Sequence, residues 1–440
     1  MKKKIYILII ACLLIAAGTG AQTVFHSLGD VWQYADQHNI SILSSQFDLQ
    51  KSGYSKKSAY STLIPQLSVS AGATENTALQ TTLIPAQLLG GPEGMYKAVQ
   101  FGQKYIYNGG YSAQWNILNV QNWMNAKIAT QNEELSRDSL ANTRKSVYQQ
   151  LASQYYNYLL MKEAARLAQQ SADIADSVSA SVQHKFSEGL VNEANVDVAK
   201  INAERARQTF ITSQYQALTS ANNLKALLDM SLKDSIVIDD ALDKNVEMLT
   251  DAPFSEDPSL VIARKQVQLG RYQLQSVNSS FLPSLSITYS NSSQQNDNKF
   301  EPFKASGPHW YPARYWNLSA GWTLFNGGGS YFQSRRSKLI LEQKEMLYEN
   351  SCRQADINDE NLRLAYKKAV ALTGNSKKVM ELSMDNYRHI SRRYAEGLSS
   401  IDDRLNAFSD FINYQNQYLN NLSDLLVQMY TIKTRQFTFK

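Results

Sequence analysis

The sequence predicts a mainly α-helical fold built twice on one plan, in which each copy also supplies a strand pair to a membrane β-barrel. Three observations predict it. Four segments recur in one order about 207–218 residues apart, far beyond the period of solenoids or propellers. About 65 residues from Gln121 to Lys185 contain no Pro or Gly and carry apolar residues at helical spacing. Between the helices lie segments of about ten residues in which apolar and small polar residues alternate, the length and period of a membrane strand.

The 440 residues begin with a segment, 1–21, that reads as a secretory signal. Lys2, Lys3 and Lys4 precede the apolar run Ile5–Ala17, and Thr19-Gly20-Ala21 supplies the small residues before a cut. The run is too short to span a membrane. Ile9-Ile10-Ala11-Cys12 also matches a lipid-attachment box, ranked lower because a cut there leaves apolar residues up to Ala17 exposed. Removing the segment takes three lysines and lowers the net charge from +5 to about +2, which gives no support for nucleic-acid binding. Cys352 is then the one remaining thiol, so no internal disulfide forms. With a mean hydropathy of −0.38, a helical bundle in lipid is excluded. The 25 tyrosines imply aromatic surface that stays half wet.

The repeats set the boundaries: a first copy over 22–235 and a second over 236–440. Asn39-Ile40-Ser41-Ile42 corresponds to Asp257-Pro258-Ser259-Leu260, and Leu63-Ile64-Pro65-Gln66-Leu67-Ser68 to Phe281-Leu282-Pro283-Ser284-Leu285-Ser286. Tyr111–Asn119 matches Leu318–Asn326, and Lys185–Leu190 matches Arg393–Leu398. Each copy therefore reads helix, hairpin, long helix, turn, helix. The first helix is expected over about Leu28–Thr62, ending before Pro65. Its hairpin, about 64–118, sets Leu67, Val69, Ala71 and Ala73 against Ser68, Ser70, Gly72 and Thr74, with a return strand over Lys104–Leu118. The second hairpin, about 284–326, places Trp316, Leu318, Ala320, Trp322 and Leu324 on one face. Trp115 is the first copy's counterpart of Trp322. Aromatic residues at the hairpin ends (Trp310, Tyr311, Tyr105, Tyr107) suit an interfacial girdle.

Long helices follow at about 121–185 and 331–393, each near 100 Å if straight, with shorter partners at about 191–228 and 399–433. Such lengths predict coiled-coil packing rather than a globular core. The first helix and 191–228 add up to one long helix and are expected to stack end to end beside it. Four strands cannot close a barrel, and an open sheet in lipid leaves unpaired edges costing several kcal/mol per group. Spanning strands therefore require oligomerisation, and three copies give twelve strands.

In order and spacing, the signal, the duplication, the Pro65 and Pro283 helix-to-strand junctions, Leu324-Phe325-Asn326-Gly327-Gly328 and the two Glu-Gly-Leu turns resemble the TolC-type outer-membrane efflux and secretion channels. The resemblance covers essentially the whole mature chain. It implies a homotrimer with a 12-stranded β-barrel in outer-membrane lipid on a 12-helix α-barrel reaching into the periplasm. It implies a periplasmic adaptor (membrane fusion) protein and an inner-membrane pump as partners in tripartite efflux or type I secretion, and passive conduction without catalysis or cofactor. It makes the turns at 186–191 and 394–399, with Phe186, Glu188, Gly189, Leu190, Tyr394, Glu396, Gly397 and Leu398, the adaptor-docking tips. It also implies polar constrictions near the tips, for which Asp173, Asp176 and Asp385 with Arg388, Arg392 and Arg393 are candidates; the plain alternative is solvated helix charge.

Catalytic readings find no support. The five histidines show no metal spacing, and Gly327-Gly328-Gly329-Ser330 lacks the lysine of a phosphate loop. Arg335, Arg336 and Lys338 follow that bend and read either as contacts to anionic head groups or as solvated charge. The insert Leu79–Tyr96 is apolar for a loop and is expected to pack on the neighbouring loop, 294–308. Two other classes remain in view: a periplasmic coiled-coil adaptor or scaffold without a pore, and a nutrient porin, whose strands would fill far more of the chain.

Overall fold

The computed structural model describes residues 22–242, 249, 253–301 and 310–436. The predicted signal, with Cys12, lies outside them. The chain forms two compact units, and each draws on both halves of the sequence.

One unit comprises the described residues of Met1–Leu49, Ser136–Ala263 and Tyr348–Lys440. It opens with β1 (Gln22–Phe25) and α1 (Leu28–His38). A capping box starts α1: Asp30 N–H donates to Ser27 Oγ at 3.3 Å, and Ser27 N–H to Asp30 Oδ2 at 3.1 Å. The single helix expected over 28–62 is broken at Asn39, whose ψ of 121° is extended. Asn39 Oδ1 accepts from the N–H groups of Ser41 and Ile42, and Asp229 Oδ2 accepts from Ile40 N–H at 2.8 Å. These caps start a second helix, α2 (Ile40–Ser61).

The long helices are α3 (Val120–Ser187, 68 residues) and α6 (Gly329–Ala395, 67 residues). Their turn-linked partners are α4 (Glu193–Leu227) and α7 (Ile401–Gln436). All lie within about three residues of the bounds read from spacing. The core of this unit gathers Val31, Ile42, Leu151, Tyr155, Leu224, Leu228, Leu422, Leu426 and Met429. Tyr155 and Tyr156 are fully buried rather than half wet. Burial of Tyr155 is tolerated because its hydroxyl donates to Asp240 Oδ2 at 2.6 Å. That burial, with the neighbouring carboxylate, pushes the phenol well above its usual pKa.

Two knots tie helix ends together. Asn39 Nδ2 donates to Leu227 O at 2.9 Å, so α4 ends where α2 begins. The expected end-to-end stack therefore holds for α2 and α4, with α1 as an extra helix before the break. At the other knot, α5 (Pro258–Asn278) starts at Asp257, whose Oδ1 accepts from Ser259 N–H at 2.9 Å. Asp257 Oδ2 meets Lys145 Nζ at 2.5 Å and Arg435 Nε at 3.5 Å, and Arg435 also pairs with Asp359 at 2.8 Å. Ser255 N–H and Oγ both donate to Arg435 O, so α7 ends where α5 begins. Between the knots, β6 (Ser235–Ile238) pairs in parallel with β1.

The second unit, Gln50–Leu135 and Arg264–Leu347, contains a four-stranded antiparallel sheet. Its strands are β2 (Gln66–Glu75), β5 (Tyr105–Leu118), β7 (Ser284–Asp297) and β8 (Tyr311–Gly321), in the order β2-β5-β7-β8. The insert after β2 folds as its own hairpin, β3 (Thr81–Pro85) and β4 (Tyr96–Gln100). Leu83, Leu88, Met95 and Tyr96 of this insert are exposed; of the loop on which it is expected to pack, 294–308, the first four residues belong to β7 and 302–308 lie outside the described residues. No described helix is long and apolar enough to cross a membrane.

Candidate functional site

The sheet register sorts the side chains into two faces. Leu67, Ala113, Tyr289 and Trp316 form one cross-strand row, and Trp115, Ile287 and Leu318 the row beside it. The opposite face carries Gln66, Gln114, Thr288 and Asn317, then Ser68, Ser112, Ser290 and Tyr315. Ser68 and Ser112 share a hydrogen bond at 2.8 Å. In these rows nearest the helices one face is thus apolar and aromatic and the other hydroxyl and amide, which suits lipid on one side and water on the other, while the next row of the first face, Val69, Tyr111, Asn291 and Arg314, mixes both kinds. Gly110 sits where a Cβ would lie 2.5 Å from Asn291 O, so this position of β5 has room only for glycine. Both edge strands, β2 and β8, are exposed along their whole length with no neighbour on their outer side among the described residues.

The junctions are fixed by tryptophans. Trp115 Nε1 donates to Leu63 O and Trp322 Nε1 to Phe281 O, each at 2.9 Å and each two residues before the junction proline, Pro65 or Pro283. Trp322 and Leu324 lie beyond β8, which ends at Gly321, instead of continuing the strand as expected. Both are exposed, as are Trp316 and Leu318 within the strand. The stapling role of the two indoles was not visible in the alternation pattern. The signal was there: Trp115 and Trp322 match in the repeat, as do Leu63 and Phe281. On the other side of the hairpins Asn119 and Asn326 cap α3 and α6, and Gly327 and Gly328 take φ of +69° and +84° to turn the chain.

The two tips have the same geometry. Gly189 has φ +74° and Gly397 φ +75°. Leu190 N–H donates to Lys185 O at 2.9 Å and Gly189 N–H to Phe186 O at 3.0 Å; Leu398 to Arg393 O and Gly397 to Tyr394 O repeat the pair at 2.8 and 3.2 Å. This is the Schellman arrangement, in which glycine supplies the left-handed residue. Asn192 and Ser400 cap the returning helices, so the sequence difference there leaves the local structure unchanged. Leu190 and Leu398 are exposed. Lys185 Nζ donates to Tyr394 OH at 3.1 Å and lies over that ring, which Arg404 also approaches, at 5.3 Å. Beneath the tips, Val178, Val182, Val196 and Ala199 pack with Ile401 and Leu405 of the second hairpin.

Residues 31–229 match the model of the outer membrane efflux protein family. The match spans a little under half of the chain and makes this stretch similar to that family. Solved structures with the same fold include the outer membrane protein VceC of Vibrio cholerae, 15% identical, with a TM-score of 0.75 over 94% of this chain and 97% of that one. The Neisseria gonorrhoeae MtrE outer membrane channel gives 17% identity and a TM-score of 0.76 over 93% and 88%. The Campylobacter jejuni CmeC outer membrane channel gives 18% and 0.70 over 93% and 85%. No curated protein sequence matches the chain. Channels of this family are trimers that work with adaptor and pump proteins. The family-model match and the shared fold together support an outer-membrane channel that extends into the periplasm, a transporter rather than an enzyme. The readings as a poreless scaffold or a nutrient porin are set aside.

Several charges near the tips are paired within the chain. Arg207, on α4, grips both oxygens of Asp176 at 3.2 and 3.1 Å and also Glu204 at 3.1 Å. Arg207 was absent from the candidates because its partner lies 31 positions away, across the tip. Asp385 pairs with Arg388 of its own helix at 3.3 Å. Asp173 and Arg392 are exposed. The single chain thus brings together Asp176 with Arg207, and Lys185 and Arg404 with Tyr394, while Asp385 and Arg388 pair on their own helix.

Proposed function

We propose that three copies of the chain close the open sheet into a 12-stranded barrel and conduct substrates passively from an inner-membrane pump and its periplasmic adaptor to the outside. The observation that carries this reading is the sheet itself. Its rows nearest the helices are apolar on one face and hydroxyl-rich on the other, and its edge strands, of ten and eleven residues, have no outer neighbour among the described residues. In lipid those edges demand partners, and a β2 edge against a β8 edge of the next copy satisfies both. The hydroxyl and amide face then lines a water-filled lumen that selects weakly by chemistry. The two tips, with their exposed Leu190 and Leu398, offer the adaptor contacts, and Asp176 with Arg207 and Asp385 with Arg388 supply paired charge for a resting constriction.

The test is conductance with mass. Purified protein in detergent is expected to run as a trimer and to open steady, poorly selective channels in planar bilayers. A monomer without conductance overturns the reading.

A further inference from the structure

Each of the four helices that abut the sheet does so at the same end of it, because the register aligns Gln66, Gln114, Thr288 and Asn317. Over about 13 residues from that end, roughly 20 Å of helix, α2, α3, α5 and α6 contain no Asp or Glu; the first acids are Asp48, Glu133 and Glu342, and α5 has none. The same zone carries Lys51, Lys56, Lys57, Lys127, Arg271, Arg335, Arg336 and Lys338. Lys56, Arg271 and Lys338 are paired with Glu133, Glu345 and Glu342 just outside it. Lys57, Lys127, Arg335, Arg336 and Lys338 are exposed. Two helices start in this zone and two end in it, so their dipoles oppose one another and the side chains decide the sign of the field.

The cations are also layered. One turn nearer the sheet than Lys57 stands Tyr60; nearer than Lys127, Trp123; nearer than Arg335 and Arg336, Tyr331 and Phe332. All four aromatics are exposed. A turn rises about 5.4 Å, the order of the step from the acyl boundary, where aromatic rings settle, to the phosphates. A merely solvated helix face mixes both signs, as α3 does immediately beyond the zone with Glu133, Glu134, Arg137 and Asp138.

We propose that this collar binds the phosphate groups of anionic phospholipids in the periplasm-facing leaflet of the outer membrane. The proposal rests on the channel reading, since the collar meets lipid only if the sheet spans it. Basic side chains near a surface gain attraction to anionic lipid that fades within a Debye length.

The full-length protein is reconstituted in bilayers of phosphatidylethanolamine and phosphatidylglycerol at 7:3, excised with a lipid-solubilising polymer, and its retained lipid measured. Phosphatidylglycerol is expected at about threefold or more over the bulk ratio at low salt, falling towards the bulk ratio at high salt. The triple variant Arg335→Gln/Arg336→Gln/Lys338→Gln is expected to lose at least half of the enrichment, while Arg335→Lys/Arg336→Lys keeps it. Absence of enrichment in the unmodified protein, or equal enrichment in the triple variant, overturns the collar. So does its removal by inorganic phosphate at matched ionic strength, which would mark a free-anion site. Conductance in the same bilayers separates the two readings: conductance without enrichment sinks the collar alone, and failure to insert sinks both.

Discussion

The two halves of the chain are alike at their tips and unlike at their knots. At the tips, Gly189 and Gly397 adopt one conformation and close the same pair of hydrogen bonds. At the knots, corresponding cap residues differ in charge. Asn39 joins α2 to α4 with a neutral amide, whereas Asp257 joins α5 to α7 with a carboxylate held by Lys145 and Arg435. A duplicated tip is a shape, set locally by one glycine and reproduced by a short motif. A duplicated knot joins segments far apart in the chain, and its chemistry drifts as long as the ends still meet. The charged knot should therefore be the stronger and the more easily broken.

The largest effect is expected from Asp257→Asn. The side chain of Arg435 is only 7% exposed and that of Lys145 13%, so removing the anion leaves Lys145 poorly solvated without its carboxylate and Arg435 with Asp359 alone, at a cost of about 3 kcal/mol, read by chemical denaturation of the helical signal. If the loss matches that of a surface pair, the charged knot is no stronger than the neutral one. The pH dependence sharpens the point. Burial pushes the Asp257 pKa up, but the hydrogen bonds from Lys145 and Ser259 outweigh it and hold the carboxyl below its usual value. Its contribution is therefore complete above about pH 4 and fades as pH falls through the lowered value. The Asp257→Asn protein should lose less stability between about pH 4 and pH 2 than the unmodified one.

Asn39→Ala, the neutral counterpart, removes a cap and a tie to Leu227 and is expected to cost about 1–2 kcal/mol in the same measurement. At the tips, Gly189→Ala and Gly397→Ala each force a side chain into left-handed backbone, costing about 1 kcal/mol. Equal losses of adaptor capture are expected from the two, as their matching geometry requires. The smallest change is Tyr394→Phe, which gives up the bond from Lys185 but keeps the cation over the ring, within about 1 kcal/mol.

Local pattern carried much of this fold. Spacing of Val147, Leu151 and Tyr155 and the glycine turns located the long helices, and the alternation of Leu67 to Ala73 located a strand whose partners then obeyed it. The break at Asn39 escaped because an asparagine inside a helical pattern is weak evidence until Asp229 and Leu227 arrive from nearly 190 positions away. Trp322 was misread for the related reason that an indole's apolar face is visible in sequence, whereas its bond to Phe281 O is not. The shape of the tips was legible because it is local, and the partner of Asp176 was not, because it lies on the returning helix.

The short parallel ladder between Gln22–Phe25 and Ser235–Ile238 has a consequence for biogenesis. The earliest strand of the exported polypeptide must wait for a mate that follows some two hundred residues later, a closure whose entropy grows only slowly with length. Translocation of the first half is thus finished before its leading segment docks, so the order of synthesis keeps that edge available until the linker has crossed.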